Sequence, residues 1–182
     1  MVGTIFSIAG IILLVYIIVM YNQGIGLKNY TNEAFSTMDV YLKKRWDLIP
    51  NLIECVKQYA SHEKTVLTQM TGLRTKSYSS LSSDEKLDVN TELYNQIPQI
   101  IAVAENYPDL KANQNFIKLM DNLSSVENDI ANARKYYNAT VRELNNFLEI
   151  FPTNIIGAIS GIKERKMFEI SDDQRNNIKV EF

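Results

Sequence analysis

Apolar side chains fill the start of the chain almost without interruption. No Asp, Glu, Lys or Arg precedes Lys28, and Thr4 to Tyr21 reads TIFSIAGIILLVYIIVMY. Eighteen residues of helix rise about 27 Å, close to the roughly 30 Å of hydrocarbon in a bilayer, so the stretch predicts a transmembrane helix. A cleaved secretory signal would carry a basic leader, a shorter apolar core and a small-residue cleavage site. Here the leader is Met-Val-Gly and the span closes on Val19-Met20-Tyr21, with no cysteine where a lipoprotein signal would place one. A retained anchor is expected, with Tyr16 and Tyr21 suited to an interface, where amphipathic rings collect.

Past the anchor the pattern changes to steps of three and four. Leu27, Ala34, Met38, Tyr41, Leu48, Leu52, Cys55, Tyr59, Val66 and Leu73 form one stripe, the signature of a helix with one buried face. The spanning helix is expected to run on into this stripe, with Gly24 and Gly26 weakening the junction and allowing a bend. Pro50 removes one backbone donor and crowds the preceding turn. The apolar register persists across it, which favours a kink over a reversal at Ile49-Pro50-Asn51.

Ser79, Ser80, Ser82 and Ser83 mark a polar connection. Ser82 with Glu85 has the spacing of a capping box, so a helix should start near Ser83, with Leu87, Leu93, Tyr94, Ile97, Ile101 and Ala104 as its core face and Pro98 bending it. Asn106-Tyr107-Pro108-Asp109 is a short break. Phe116, Leu119, Leu123, Val126, Ile130, Ala133, Tyr137, Thr140, Leu144, Phe147 and Phe151 then alternate steps of three and four without a fault. So sustained a seven-residue repeat predicts coiled-coil-like packing against neighbouring helices. Phe151-Pro152 should end that helix. The apolar, glycine-broken segment 155–162 is too short to span a bilayer and is expected to cover the end of the bundle or, as a second reading, to rest on the bilayer surface. The tail, 163–182, is polar and expected to be largely mobile, with Phe168 and Phe182 as docking points.

The 182 residues leave room for one domain behind the anchor: anchor 4–21, helical bundle 22–162, tail 163–182. Seven glycines and four prolines are few, which argues for an all-α class. Nineteen basic and twenty-one acidic residues give a net charge of −2 without a dense basic block, so nucleic acid is not an expected partner. One cysteine, Cys55, cannot form an internal disulfide, and the basic residues Lys28, Lys43, Lys44 and Arg45 follow the span while none precedes it. The charge asymmetry leads to the expectation of an N-terminus outside and a cytoplasmic domain, and the lack of a disulfide agrees with it.

Catalytic motifs are missing from the sequence. His62 beside Glu63 has no second histidine, so neither a zinc-enzyme pair nor a four-ligand site can be assembled, and no metal or other cofactor is expected. Cys55 lies on the apolar stripe and reads as an inert core residue. The chain has no glycine-rich phosphate loop and no nucleophile elbow. The richest polar set is Arg45, Asp47, Asn51, Glu54, Glu105, Asn106, Asp109, Arg134 and Asn138. These residues form either a ligand pocket or a buried network that fixes helix register, and the network is the preferred reading because a buried charge is tolerated only when paired.

Several ordered blocks resemble the LemA family: Tyr21-Asn22, Asp39-Val40, the run Lys43-Lys44-Arg45-Trp46-Asp47-Leu48-Ile49-Pro50-Asn51-Leu52-Ile53-Glu54, Tyr59-Ala60, His62-Glu63, then Ala102 to Ala112, Glu127-Asn128, Ile130-Ala131, Ala133-Arg134, Tyr136-Tyr137-Asn138 and Phe151-Pro152. The resemblance implies a single-pass bacterial membrane protein whose anchor leads into an antiparallel up-and-down bundle of roughly three or four long helices. It implies no particular reaction. The chain departs from the family's usual pattern at Pro98 and in the tail. The expected function is a non-enzymatic scaffold that self-associates or holds partner proteins at the membrane. The alternative is a ligand- or peptide-binding module with a pocket near Arg45 and Glu105. Gly3 and Ser7, four apart in the span, permit the close helix contact that homo-oligomers use.

Overall fold

The computed structural model describes residues 2–60, 72 and 77–169, and among them the regular structure is helical, with no strand. Helix α1, Val2–Tyr59, holds 58 residues, which at 1.5 Å per residue is about 87 Å. It contains the stretch long and apolar enough to cross a membrane, and none of that stretch is buried within the protein. After a 3₁₀ turn at Tyr78–Ser80 come α2, Ser83–Asn106, and the single turn α3, Pro108–Lys111. The chain continues with α4, Gln114–Glu149, and α5, Thr153–Ser160. An apolar N-terminal helix followed by a helical bundle is the class expected from the sequence.

Helix α1 continues through Gly24, Gly26 and Pro50 without a break, so the chain does not reverse at Pro50. The seam it buries differs from the predicted stripe. Ala34, Met38, Leu52 and Cys55 are buried as expected, but Leu42, Ile49 and Ala60 are buried where Tyr41, Leu48 and Tyr59 were expected: Tyr41 and Leu48 are half-buried and Tyr59 is exposed. The reason lies in the pairs Tyr41-Leu42, Leu48-Ile49 and Tyr59-Ala60. Each turn offers two adjacent apolar residues, and periodicity cannot choose between faces one residue apart. Val66 and Leu73 lie outside the described residues.

Helix α2 starts where the capping box predicts. Ser82 Oγ accepts from the Glu85 amide at 3.3 Å, and the Ser82 amide donates to the Glu85 carboxylate at 2.9 Å. It passes unbroken through Pro98 and buries Ile100 and Val103 where Ile101 was expected. Helix α4 is capped by Asn113, whose Oδ1 accepts from the amides of Asn115 and Phe116 at 2.8 and 3.1 Å. The heptad positions from Phe116 to Phe147 are buried or half-buried, whereas Phe151, beyond the helix end, is 74% exposed and not part of the core.

The chain forms two compact units, residues 1–38 with 133–167 and residues 39–132 with 168–182. In the first, α1 and α4 run antiparallel. Gly24 faces Phe147, Thr31 donates to the Thr140 carbonyl at 3.3 Å, and Phe35 meets Tyr137 edge to face at 5.7 Å. The segment after α5 is fixed along them. Asn145 bonds both backbone groups of Arg165 at 3.0 Å each, Arg165 reaches Asn32 at 2.7 Å, and the Tyr137 hydroxyl donates to the Lys166 carbonyl at 2.8 Å. The start of the tail is therefore docked instead of mobile. The remainder, including Phe182, lies outside the described residues. In the second unit, the pairs Asp39 with Lys86 and Arg45 with Asn90 advance together, so α1 and α2 run parallel. Arg45 with Glu127 and Tyr59 with Asn113 show α4 opposed to α1. The core here is Leu42, Trp46, Ile49, Leu87, Leu93, Ile97, Ile100, Leu110, Leu123 and Ile130, with Phe168 of the docked tail buried as well.

Candidate functional site

A cationic side chain at the centre of the second unit organises its polar groups. Arg45 is 0% exposed, and the three nitrogens of its guanidinium are all hydrogen-bonded. Nε donates to Asn90 Oδ1 at 3.2 Å, and Nη2 donates to the same oxygen at 2.9 Å and to the Asn90 carbonyl at 2.8 Å. Nη1 forks onto both oxygens of Glu127 at 3.0 and 3.1 Å. A rigid planar fork suits this arrangement because it satisfies several acceptors without moving.

Asn90 passes the connection on, its Nδ2 donating to the Lys86 carbonyl at 2.9 Å. Lys86 Nζ donates to Asp39 Oδ2 at 2.7 Å, and the Tyr78 hydroxyl donates to Asp39 Oδ1 at 2.6 Å. The Lys86 ammonium also lies 4.9 Å from the centre of the Tyr78 ring, and Trp46 leans on that ring at 5.4 Å. Burial, reinforced by the hydrogen bond to the Asp39 carboxylate, pushes the Tyr78 phenol far above its usual range. The network thus joins α1, the 3₁₀ turn, α2 and α4 through matched donors and acceptors. Chemically it holds elements in register.

Of the nine residues singled out in the sequence, Arg45 alone lies in this network. Asp47 pairs with Lys43 on the exposed face of α1 at 2.7 Å. Asn51 and Glu54 are exposed further along α1, and Glu105, Asn106 and Asp109 are exposed around the junction of α2 and α3. Arg134 and Asn138 are half-buried and belong to the first unit. Asp39, Tyr78, Lys86, Asn90 and Glu127 escaped the sequence reading as site residues. Asn90 had a signal, since it falls on the face of α2 that carries Leu87 and Ile97, where a polar residue needs a partner.

Cys55 is 8% exposed, and burial raises its thiol above the usual range, which keeps it protonated and unreactive at neutral pH. His62 and Glu63 lie outside the described residues. Among the described residues no cluster of three or more His, Cys, Asp or Glu side chains is placed to hold a metal.

Residues 34–182 match the LemA family. The chain is also similar to two curated proteins of Paramagnetospirillum magneticum, Magnetosome protein MamQ 2 and Magnetosome protein MamQ 1. Each is 22% identical over 179 residues, covering 84% of this chain and 66% of the relative. Protein LemA of Metamycoplasma hominis is 25% identical over 155 residues, covering 83% of this chain and 69% of the relative. The chain spans just under two thirds of the length of the two magnetosome proteins.

Proposed function

Because the chain belongs to the LemA family, we propose that it is a membrane-anchored, non-enzymatic scaffold that self-associates or holds partner proteins at the cytoplasmic face of a bacterial membrane. The observation that carries this reading is the continuity of α1: an apolar stretch none of whose residues is buried runs without a break into a helix whose later turns build the bundle core. A single continuous helix thereby runs from the apolar stretch into the folded part of the chain. The Arg45 network supports the structural side of the reading, because every guanidinium nitrogen is already hydrogen-bonded to Asn90 or Glu127.

The heptad face of α4 is buried inside the protein from Phe116 to Phe147, so self-association uses other surfaces. The span offers one. Gly3 has open space around its Cα, and Ser7 returns its hydroxyl to the Gly3 carbonyl at 3.0 Å, leaving a small-residue face for a second helix. The test is light scattering of the full chain in detergent, followed by cross-linking in native membranes. Oligomers, or a recovered protein partner, are expected. A strict monomer that recovers no partner would refute the scaffold.

A further inference from the structure

Most exposed large apolar residues outside the span are scattered singly, as on any protein surface, for example Tyr30, Val40, Ile117 and Tyr136. One group is different. Ile150, Phe151, Ile155 and Ile159, at the end of α4 and along α5, are 58%, 74%, 50% and 79% exposed. The opposite side of α5 is occupied: Gly157 is buried against Leu148, and left-handed Gly161 ends the helix so that the Ile162 amide reaches the Gly157 carbonyl at 3.3 Å and Ile162 is buried. Helix α5 is therefore fixed on one side and turns isoleucines outward on the other, an arrangement that water alone would not favour.

Its position says what covers it. Ile156, Ile159 and Ser160 of α5 line a cleft of about 200 Å³ together with Ile17, Ile18 and Tyr21, the last turns of the apolar stretch of α1, and the cleft wall presents only apolar atoms. Just beyond, Gly24 touches Phe147 and Ile162. Gly24 lies three helical steps beyond Tyr21, about 4.5 Å along the axis. The short helix thus lies beside the end of the span, at the level of Tyr21, where an amphipathic ring meets the headgroups. The polar chain resumes at once after it, with Lys163 and Lys166 exposed.

We propose that α5 is an interfacial membrane helix, with Ile155 and Ile159, flanked by Ile150 and Phe151, immersed in the lipid leaflet nearest the folded units and an acyl chain occupying the cleft beside Ile17, Ile18 and Tyr21. The partner is the bilayer itself. This rests on the anchored reading of α1 and adds a second contact, which restrains tilt of the first unit against the bilayer as a single helix could not.

Site-directed spin labelling tests it on the full chain in vesicles of phosphatidylcholine and phosphatidylglycerol. Nitroxides are placed by Ile155→Cys and Ile159→Cys, each in a Cys55→Ala background, with Ile11→Cys as a label inside the span and Tyr136→Cys as a label on the exposed face of α4. Relaxation by oxygen is compared with relaxation by a water-soluble nickel complex. The proposal expects oxygen to dominate at 155 and 159, as at 11, and nickel to dominate at 136. Nickel dominance at 155 and 159 with oxygen dominance at 11 would overturn the interfacial helix and leave the anchor intact. Exclusion of both reagents at 155 and 159 would overturn it too, showing a protein surface over α5, a second copy included. Nickel dominance at 11 would remove the anchor, and the proposal with it.

Discussion

Arg45 shows what a single charged residue costs and contributes inside a helical unit. Its guanidinium is out of water, and only the fork onto Glu127 and the paired acceptors of Asn90 make that tolerable. Arg45→Ala should lower stability by about 2–3 kcal/mol in urea unfolding followed by circular dichroism. That is below the roughly 3–5 kcal/mol of a fully buried pair because Glu127 keeps partial contact with water. Arg45→Lys should recover little, since an ammonium cannot serve Asn90 and both Glu127 oxygens together. Tyr78 carries the pH dependence. Burial first and the Asp39 hydrogen bond second keep its phenol protonated in the folded protein, so its contribution is intact below the ordinary phenol range near 10 and is lost as pH rises above it. Tyr78→Phe should cost about 1 kcal/mol near neutrality and flatten this alkaline loss, read from urea midpoints at about pH 8 and about pH 11.

At the scale of the element, two glycines two residues apart in α1 have opposite meanings. A Cβ on Gly24 would stand 2.8 and 3.0 Å from the buried Phe147 ring and 3.2 Å from Ile162, whereas at Gly26 it would meet open space. Gly24→Ala should therefore destabilise the protein by about 1–3 kcal/mol through overpacking, and Gly26→Ala should stabilise it by about 1 kcal/mol through helix propensity alone. Thermal melts of the pair in one detergent decide both signs. Gly24 is a point of close helix approach, and α1 continues unbroken through the junction that the two glycines weaken. The starts of α2 and α3 were legible, because local chemistry writes them, whereas nothing in the apolar stripe marked the end of α1 at Tyr59. The reciprocal Ser82 and Glu85 bonds start α2, and Pro108 opens α3 after the break at Tyr107.

For the whole molecule, the anchor is the feature on which the proposed function turns. A chain lacking residues 1–21 should be released by alkaline carbonate from membranes that retain the full chain, while keeping its helical far-ultraviolet spectrum, because the core residues of both units begin beyond Tyr21. A short interfacial helix gives only weak, reversible attachment by itself, so α5 should not prevent that release. Fractionation followed by circular dichroism checks both halves of the expectation.

The amino-acid sequence alone determined the helical class, the apolar length of the span, the start of α2 and the buried heptad face of α4. All of these depend on composition, periodicity or contacts within one turn. It also put Arg45 in the polar set read as a register-fixing network. It did not identify Asn90, Glu127, Asp39, Lys86 and Tyr78 as its network, because these residues are separated by tens of positions and are brought together only when α1, α2 and α4 pack. The choice between Leu42 and Tyr41, or Ile49 and Leu48, was likewise tertiary, since each pair offers two apolar neighbours and only the partner helix selects the face. The setting of α5 beside Tyr21 follows the same logic: a short apolar segment has no orientation until Gly157 and Gly161 fix one side of it and leave the other exposed.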